Sequence, residues 1–154
     1  MRLPKQVLVI PFKKDFDGTI KYCIFKRNDL NVHQFIAGGM EDFDKALESA
    51  VKREFFEETG IDIEDKRFIK LEEECMIPVV NIVKDFLWGE NTFYAKEYAF
   101  AVCLDDKYDI NLSSEHKDYA WLTYNDARKL LKYDSNKSAL WELDTKIKRN
   151  IIDC

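Results

Sequence analysis

The sequence predicts a layered α/β domain, and three observations carry that prediction. Apolar runs of strand character near residues 6–12, 20–27 and 94–104 are mixed with helical patterns near 45–59, 125–131 and 135–149. A hydrophobic fraction of 46%, with 11 Phe, 7 Tyr and 3 Trp, is ample for a core. A chain of 154 residues has the size of a single domain, and no repeat, linker or low-complexity tract divides it, so 1–154 is expected to be one unit.

Each element has its own signal. The first two strands flank Asp15-Phe16-Asp17-Gly18-Thr19, a turn-rich segment that predicts a hairpin. A short extended piece, Gln34 to Ala37, leads into Gly38-Gly39. The helix over 45–59 has Asp42 or Asp44 as its expected cap and Gly60 as its stop. Residues 66–80 read as a strand that Pro78 interrupts or ends, and the aromatic loop 85–91 separates it from the apolar strand Tyr94 to Leu104. A short strand at 119–123 precedes the two C-terminal helices.

The 45–59 helix has two separate sides. Leu47, Val51 and Phe55 recur every four residues and form a packing stripe. Glu54, Glu57 and Glu58 stand at i, i+3 and i+4, so their carboxylates project from neighbouring positions on one side. Unpaired, such like charges repel. A hard divalent cation relieves that repulsion, prefers carboxylate oxygen and keeps waters free to meet phosphate. Mg2+, or Mn2+ in its place, is therefore the expected cofactor, and phosphate chemistry the expected activity.

The segment from Gly39 to Ile61 resembles the box of the Nudix hydrolases, Gly-x5-Glu-x7-Arg-Glu-apolar-x-Glu-Glu-x-Gly-apolar, aligned on Gly39, Arg53, Glu54, Phe55, Glu57, Glu58, Gly60 and Ile61. One position departs: Lys45 stands where the family carries its first glutamate, which pairs with the arginine corresponding to Arg53. Either Asp42, Asp44 or Glu48 takes over that pairing, or the site is looser and slower, or it has lost turnover. Leu112-Ser113-Ser114-Glu115-His116 through Tyr119-Ala120-Trp121-Leu122 is similar to the Glu-His and Tyr-x-Trp pattern of several Nudix subgroups, extending the likeness over about residues 5–147.

The resemblance implies the Nudix fold, a mixed β-sheet sandwiched between α-helices, with the box at the sheet's edge. It further implies hydrolysis of a phosphoanhydride by water, with metal held by Glu54, Glu57, Glu58 and Glu115 and by the carbonyl of Gly38. Glu54, Glu58 or Glu115 is the candidate base, Glu115 and Glu54 being favoured, with Arg53 in support. Gln34-Phe35, Ile77-Pro78, Leu87-Trp88-Gly89 and Glu115-His116 are similar to bacterial members associated with dATP or dihydroneopterin triphosphate. Gly39, Trp88 and Gln34 are accordingly candidate substrate contacts, Trp88 by stacking on a purine or pterin ring, and Arg27, with Lys26 or Lys96 as alternatives, is the candidate contact to phosphate oxygens. Two other readings stay open: an asymmetric dinucleoside tetraphosphate hydrolase, and a regulatory module weakened by Lys45.

A net charge of -5 argues against a sequence-independent nucleic-acid binder, which needs a basic face. The apolar run Val7 to Phe12 is too short for a signal peptide or a membrane span. The expected partner is thus a small nucleotide or pterin phosphate, neither nucleic acid nor membrane, in a cytoplasmic setting, with a homodimer left open. Cys23, Cys75, Cys103 and Cys154 lack Cys-x-x-Cys spacing, and the expectation is reduced thiols without zinc.

Overall fold

A computed structural model describes residues 1–84 and 86–154, without the side chain of Lys117. The seven strands are β1 (Arg2–Lys14), β2 (Ile20–Arg27), β3 (His33–Gln34), β4 (Ile36–Glu41), β5 (Ile69–Pro78), β6 (Tyr94–Cys103) and β7 (His116–Leu122), and the helices are α1 (Leu47–Thr59), α2 (Tyr124–Leu130) and α3 (Asp134–Lys148). They form one mixed sheet in the order β3-β2-β1-β6-β5, with β4 also on β1 and β7 on β2. Only β1 and β6 run parallel among the strands of this sheet.

The hairpin forms where the sequence places it. Phe12 pairs with Tyr22 and Lys14 with Ile20, and the turn closes through Asp15 and Thr19, with Gly18 at φ 89°. That positive φ is one a side chain rarely tolerates. β1 then changes partner. Its N-terminal part pairs with β4, aligning Gln6 with Gly39 and Val7 with Gly38, whereas its C-terminal end pairs with β2.

Alternation along β1 sends side chains to two separate cores. Val7 and Val9 face α1 and pack with Phe25, Val51, Phe55 and Phe100. Leu8, Ile10 and Phe12 face α2 and α3 and pack with Phe35, Ala139, Leu140 and Leu143. The sheet is therefore covered on both faces, with the glycine-bearing β4 between β1 and α1.

Several expectations are corrected. The extended piece at 34–37 is two strands, and the second runs on through both glycines to Glu41. Neither Asp42 nor Asp44 caps α1; the cap position is Ala46, with no side-chain bond, because Asp44 is committed to Arg53 instead. Gly60 does end the helix, at φ 72° with its N–H donating to the Phe56 carbonyl. β7 begins at His116 rather than 119. Of the aromatic loop, Asp85 lies outside the described residues.

The thiols also differ from expectation. Cys103 and Cys154 form a disulfide with Cα atoms 5.4 Å apart, while Cys23 and Cys75 are free. The reason is the chain's return after α3: Asn150 adopts φ 58° and Ile152 is buried in the α3-side core, bringing the tail back against the end of β6. Among the described residues no helix is long and apolar enough to cross a membrane.

Candidate active site

The site is built where β4 meets α1. Gly38 lies against the Glu54 side chain so closely that a Cβ there would collide with its carboxylate. Gly39 has the same relation to the Arg2 guanidinium. The two glycines thus seat a carboxylate on one face of β4 and a cation on the other, which is the physical need for a side-chain-free pair here.

Arg53 organises the acidic helix. Its guanidinium donates to Asp44 from Nη2 at 2.7 Å and from Nε at 3.3 Å, to the Gly39 carbonyl at 2.9 Å and to Glu54 Oε1 at 2.8 Å. Glu57 Oε1 lies 3.6 Å from Nη1. Of Asp42, Asp44 and Glu48, the alternatives the sequence offered, Asp44 is the one bonded to Arg53. Its side chain is 4% exposed, and it also accepts the Glu41 N–H at 2.8 Å. Burial works to raise its pKa, but the Arg53 and Glu41 hydrogen bonds prevail and hold the carboxyl below the usual range. Lys45 itself is exposed.

The three box carboxylates are not equivalent. Glu54 is pushed up to about 7 by burial, against the pull of Arg53, with the charges of Glu57 and Glu115 adding to the rise. The Glu57 side chain is 53% exposed. Glu58 is 3% exposed, and its Oε2 takes hydrogen bonds from Ser113 Oγ at 2.7 Å and from His116 Nδ1 at 2.5 Å. Burial would raise the Glu58 pKa, yet those two donors bring it below the ordinary carboxylate value.

Glu115 reaches the same cluster from the loop before β7. Its backbone is fixed on both sides: its N–H donates to Ser113 Oγ at 3.2 Å, and its carbonyl accepts the Asn28 N–H at 2.9 Å. Burial raises its pKa, and the Glu58 charge raises it further. Gly38, Gly39, Arg53, Glu54, Glu57, Glu58 and Glu115 therefore converge, although the box and Glu115 are far apart in sequence.

The expected ring and phosphate contacts stand differently. Trp88 donates its indole N–H to the Arg2 carbonyl at 2.7 Å, which docks the aromatic loop beside the residue that covers Gly39. Arg27 forks onto Asp29 at 2.9 and 2.6 Å, and its charge only partly opposes the burial-driven rise at Glu115. Gln34 is 7% exposed in β3, opposite Phe25. Asp44 was one of three alternatives in the sequence, and Ser113 carried no signal there beyond lying next to the Glu-His pair.

The family profile of the NUDIX domain matches residues 5–142. The chain belongs to the Nudix family. A protein assigned as a NUDIX hydrolase from Listeria monocytogenes is 35% identical, covering 99% of each chain at a TM-score of 0.83. The dihydroneopterin triphosphate pyrophosphohydrolase of E. coli is 23% identical over 93% of this chain and 97% of its own, with a TM-score of 0.72. An Ap4A hydrolase from C. elegans is 18% identical over 94% and 98%, with a TM-score of 0.68. These last two show the shared fold. No protein with a curated description matches the chain.

Nudix hydrolases generally use a divalent metal such as Mg2+, and the donor set here fits one. It is all carboxylate oxygen, gathered around a glycine cradle, and one carboxylate is raised toward neutrality by burial beside other negative charge. Among the described residues no three such groups stand in ready coordination geometry. Glu54 is held by Arg53, and Glu58 by Ser113 and His116. A groove of about 950 Å3 lined by residues of β5, α2 and α3, Glu72 and Trp141 among them, lies on other elements than the box.

Proposed function

We propose that this Nudix hydrolase, taken as one domain over 1–154, is a Mg2+-dependent pyrophosphohydrolase of a nucleoside triphosphate or a related pterin triphosphate. The observation that carries the reading is the Asp44–Arg53 pair. It supplies the support that Lys45 cannot, and Arg53 in turn holds both Glu54 and the Gly39 carbonyl.

Glu54, Glu57, Glu58 and Glu115 would hold the metal, with the Gly38 carbonyl assisting. Bound there, a divalent ion supplies charge neutralisation at the phosphate oxygens and a lowered pKa for the attacking water. The chain's own part is orientation and proton handling. Glu54, raised by burial to about 7, suits a group that must accept a proton near neutral pH, and burial raises Glu115 in the same direction. Trp88, fixed at the Arg2 carbonyl, and Gly39 are the substrate contacts this reading retains. Arg27 would have to leave Asp29 to meet phosphate.

The sequence likeness to the members associated with dATP and dihydroneopterin triphosphate supports this substrate class over the dinucleoside tetraphosphate alternative. The Asp44–Arg53 pair speaks against a weakened regulatory module. A cytoplasmic setting also belongs to this proposal, with the Cys103–Cys154 bond as the observation that weighs against it.

The test is a hydrolysis screen of the purified chain with Mg2+ against dNTPs, a pterin triphosphate, diadenosine tetraphosphate and nucleotide sugars. Pyrophosphate release from a triphosphate is expected. Mono- plus triphosphate from diadenosine tetraphosphate would favour the dinucleotide reading, and no hydrolysis of any substrate would refute the proposal.

A further inference from the structure

The β7 end of the site contains a device that the box does not explain. Regular antiparallel pairing of β2 with β7 runs from Tyr22↔Leu122 to Lys26↔Asp118, and then slips so that Arg27 faces His116. The extra residue on β7 is a bulge, and a one-residue slip reverses the face a side chain occupies. It turns His116 onto the Phe25 side of the sheet, where its ring lies 5.4 Å from that of Phe25 and is buried. Nδ1 meets Glu58 Oε2 there, while Nε2 is buried with no partner among the described residues.

A polar ring is expensive to bury with one nitrogen unpaired. The bond to Glu58 is what the fold gains from this placement. Ser113 repeats the arrangement from the preceding turn: its hydroxyl donates to the same Glu58 oxygen and accepts the N–H of Glu115. Both donors converge on Oε2, so one oxygen of Glu58 is saturated and the carboxylate plane is fixed. The same hydroxyl ties the Glu115 backbone to the box helix.

We propose that Ser113 and His116 are positioning residues of the metal centre: by saturating Oε2 of Glu58 they fix the carboxylate with its other oxygen left for a divalent cation, and they hold Glu115 in register with the box. Divalent-cation affinity is then set by the β7 loop as well as by the box helix. This inference rests on the metal-dependent reading above.

The experiment measures Mn2+ binding to substrate-free protein by the electron paramagnetic resonance of free Mn2+, for the wild type, Ser113→Ala, His116→Leu and His116→Asn. Losing a hydrogen-bond partner of a ligating carboxylate should weaken binding about 10–100-fold in His116→Leu, by less in Ser113→Ala. Asn carries an amide nitrogen near the place of Nδ1, so His116→Asn should recover most of the affinity. Nitrogen-15 NMR of the metal-free wild type should show the proton on Nδ1. If His116→Leu does not fold, Ser113→Ala and His116→Asn decide the matter: loss in the first with retention in the second supports the proposal, and wild-type affinity in Ser113→Ala overturns it. Wild-type affinity in a folded His116→Leu, or equal losses in Leu and Asn, likewise overturns it. Absence of Mn2+ binding by the wild type would defeat the functional reading itself, an outcome distinct from those.

Discussion

Replacing Asp44 by alanine removes three interactions at once: two bonds from Arg53 and one from the Glu41 N–H. Breaking a buried ion pair by removing one partner costs about 3–5 kcal/mol. The Arg53 side chain is 24% exposed and keeps Glu54 and the Gly39 carbonyl, so solvent and those partners reduce the loss to about 2–3 kcal/mol. For a domain of this size that corresponds to a fall in Tm of roughly 5–10 °C. Asp44→Asn, which keeps an acceptor for the Glu41 N–H, should lie between. Because the folded Asp44 pKa is depressed, the stabilisation is fully present above the unfolded value and disappears as pH falls through the folded one. Urea denaturation at pH 7 and pH 3 measures both. A change in Asp44→Ala below about 0.5 kcal/mol at neutral pH, the scatter of an ordinary surface substitution, would refute the claim that Asp44 stands in for the box glutamate.

Restoring the family residue by Lys45→Glu should change the rate by less than about fivefold, the scale of an exposed charge worth about 1 kcal/mol, since Arg53 is already paired. A jump from no hydrolysis to robust hydrolysis would show instead that the native site is disabled. Gly38→Ala should displace the Glu54 carboxylate and lower kcat/KM by about 10²-fold, as misplacement by about an ångström does, and an unaltered rate would remove Gly38 from the site. Glu57→Gln and Glu58→Gln should each lower Mg2+-dependent hydrolysis by at least about 10²-fold, and wild-type rates in both would refute the metal assignment.

What could be read from the sequence was what short range determines. The Asp15–Thr19 turn fixed the hairpin, Gly60 fixed the helix stop, and the apolar run Tyr94 to Leu104 became β6, one residue shorter at Cys103. What escaped was set by contacts between distant segments. Asp44 lies outside α1 because Arg53 claims its carboxylate, so a residue with good capping chemistry does not cap. Ser113 matters only because β7 brings it beside Glu58, a contact 55 residues apart in sequence. The Cys103–Cys154 bond depends on a reversal at Asn150 that no turn dipeptide announced. Arg27, read as a cation at a strand end, is forked onto Asp29, and Gln34, read from the likeness of Gln34-Phe35 to other members, is buried in β3.

Glu54 provides the sharpest physical consequence of the arrangement. Burial lifts its pKa to about 7 against the pull of Arg53, and the charges of Glu57 and Glu115 add to the rise. The folded value exceeds the unfolded one, so the contribution of Glu54 to stability is fully present below about pH 4.5 and is lost as pH rises through about 7. A divalent cation reverses the situation, because it binds the deprotonated form and removes the charge penalty. Substrate-free Mn2+ affinity should therefore climb about tenfold per pH unit up to about pH 7 and then level off, with the metal raising Tm most on the alkaline side. In Glu54→Gln the climb should flatten. A wild-type affinity independent of pH between 5.5 and 8.5 would mean that Glu54 is not the group a cation must displace a proton from.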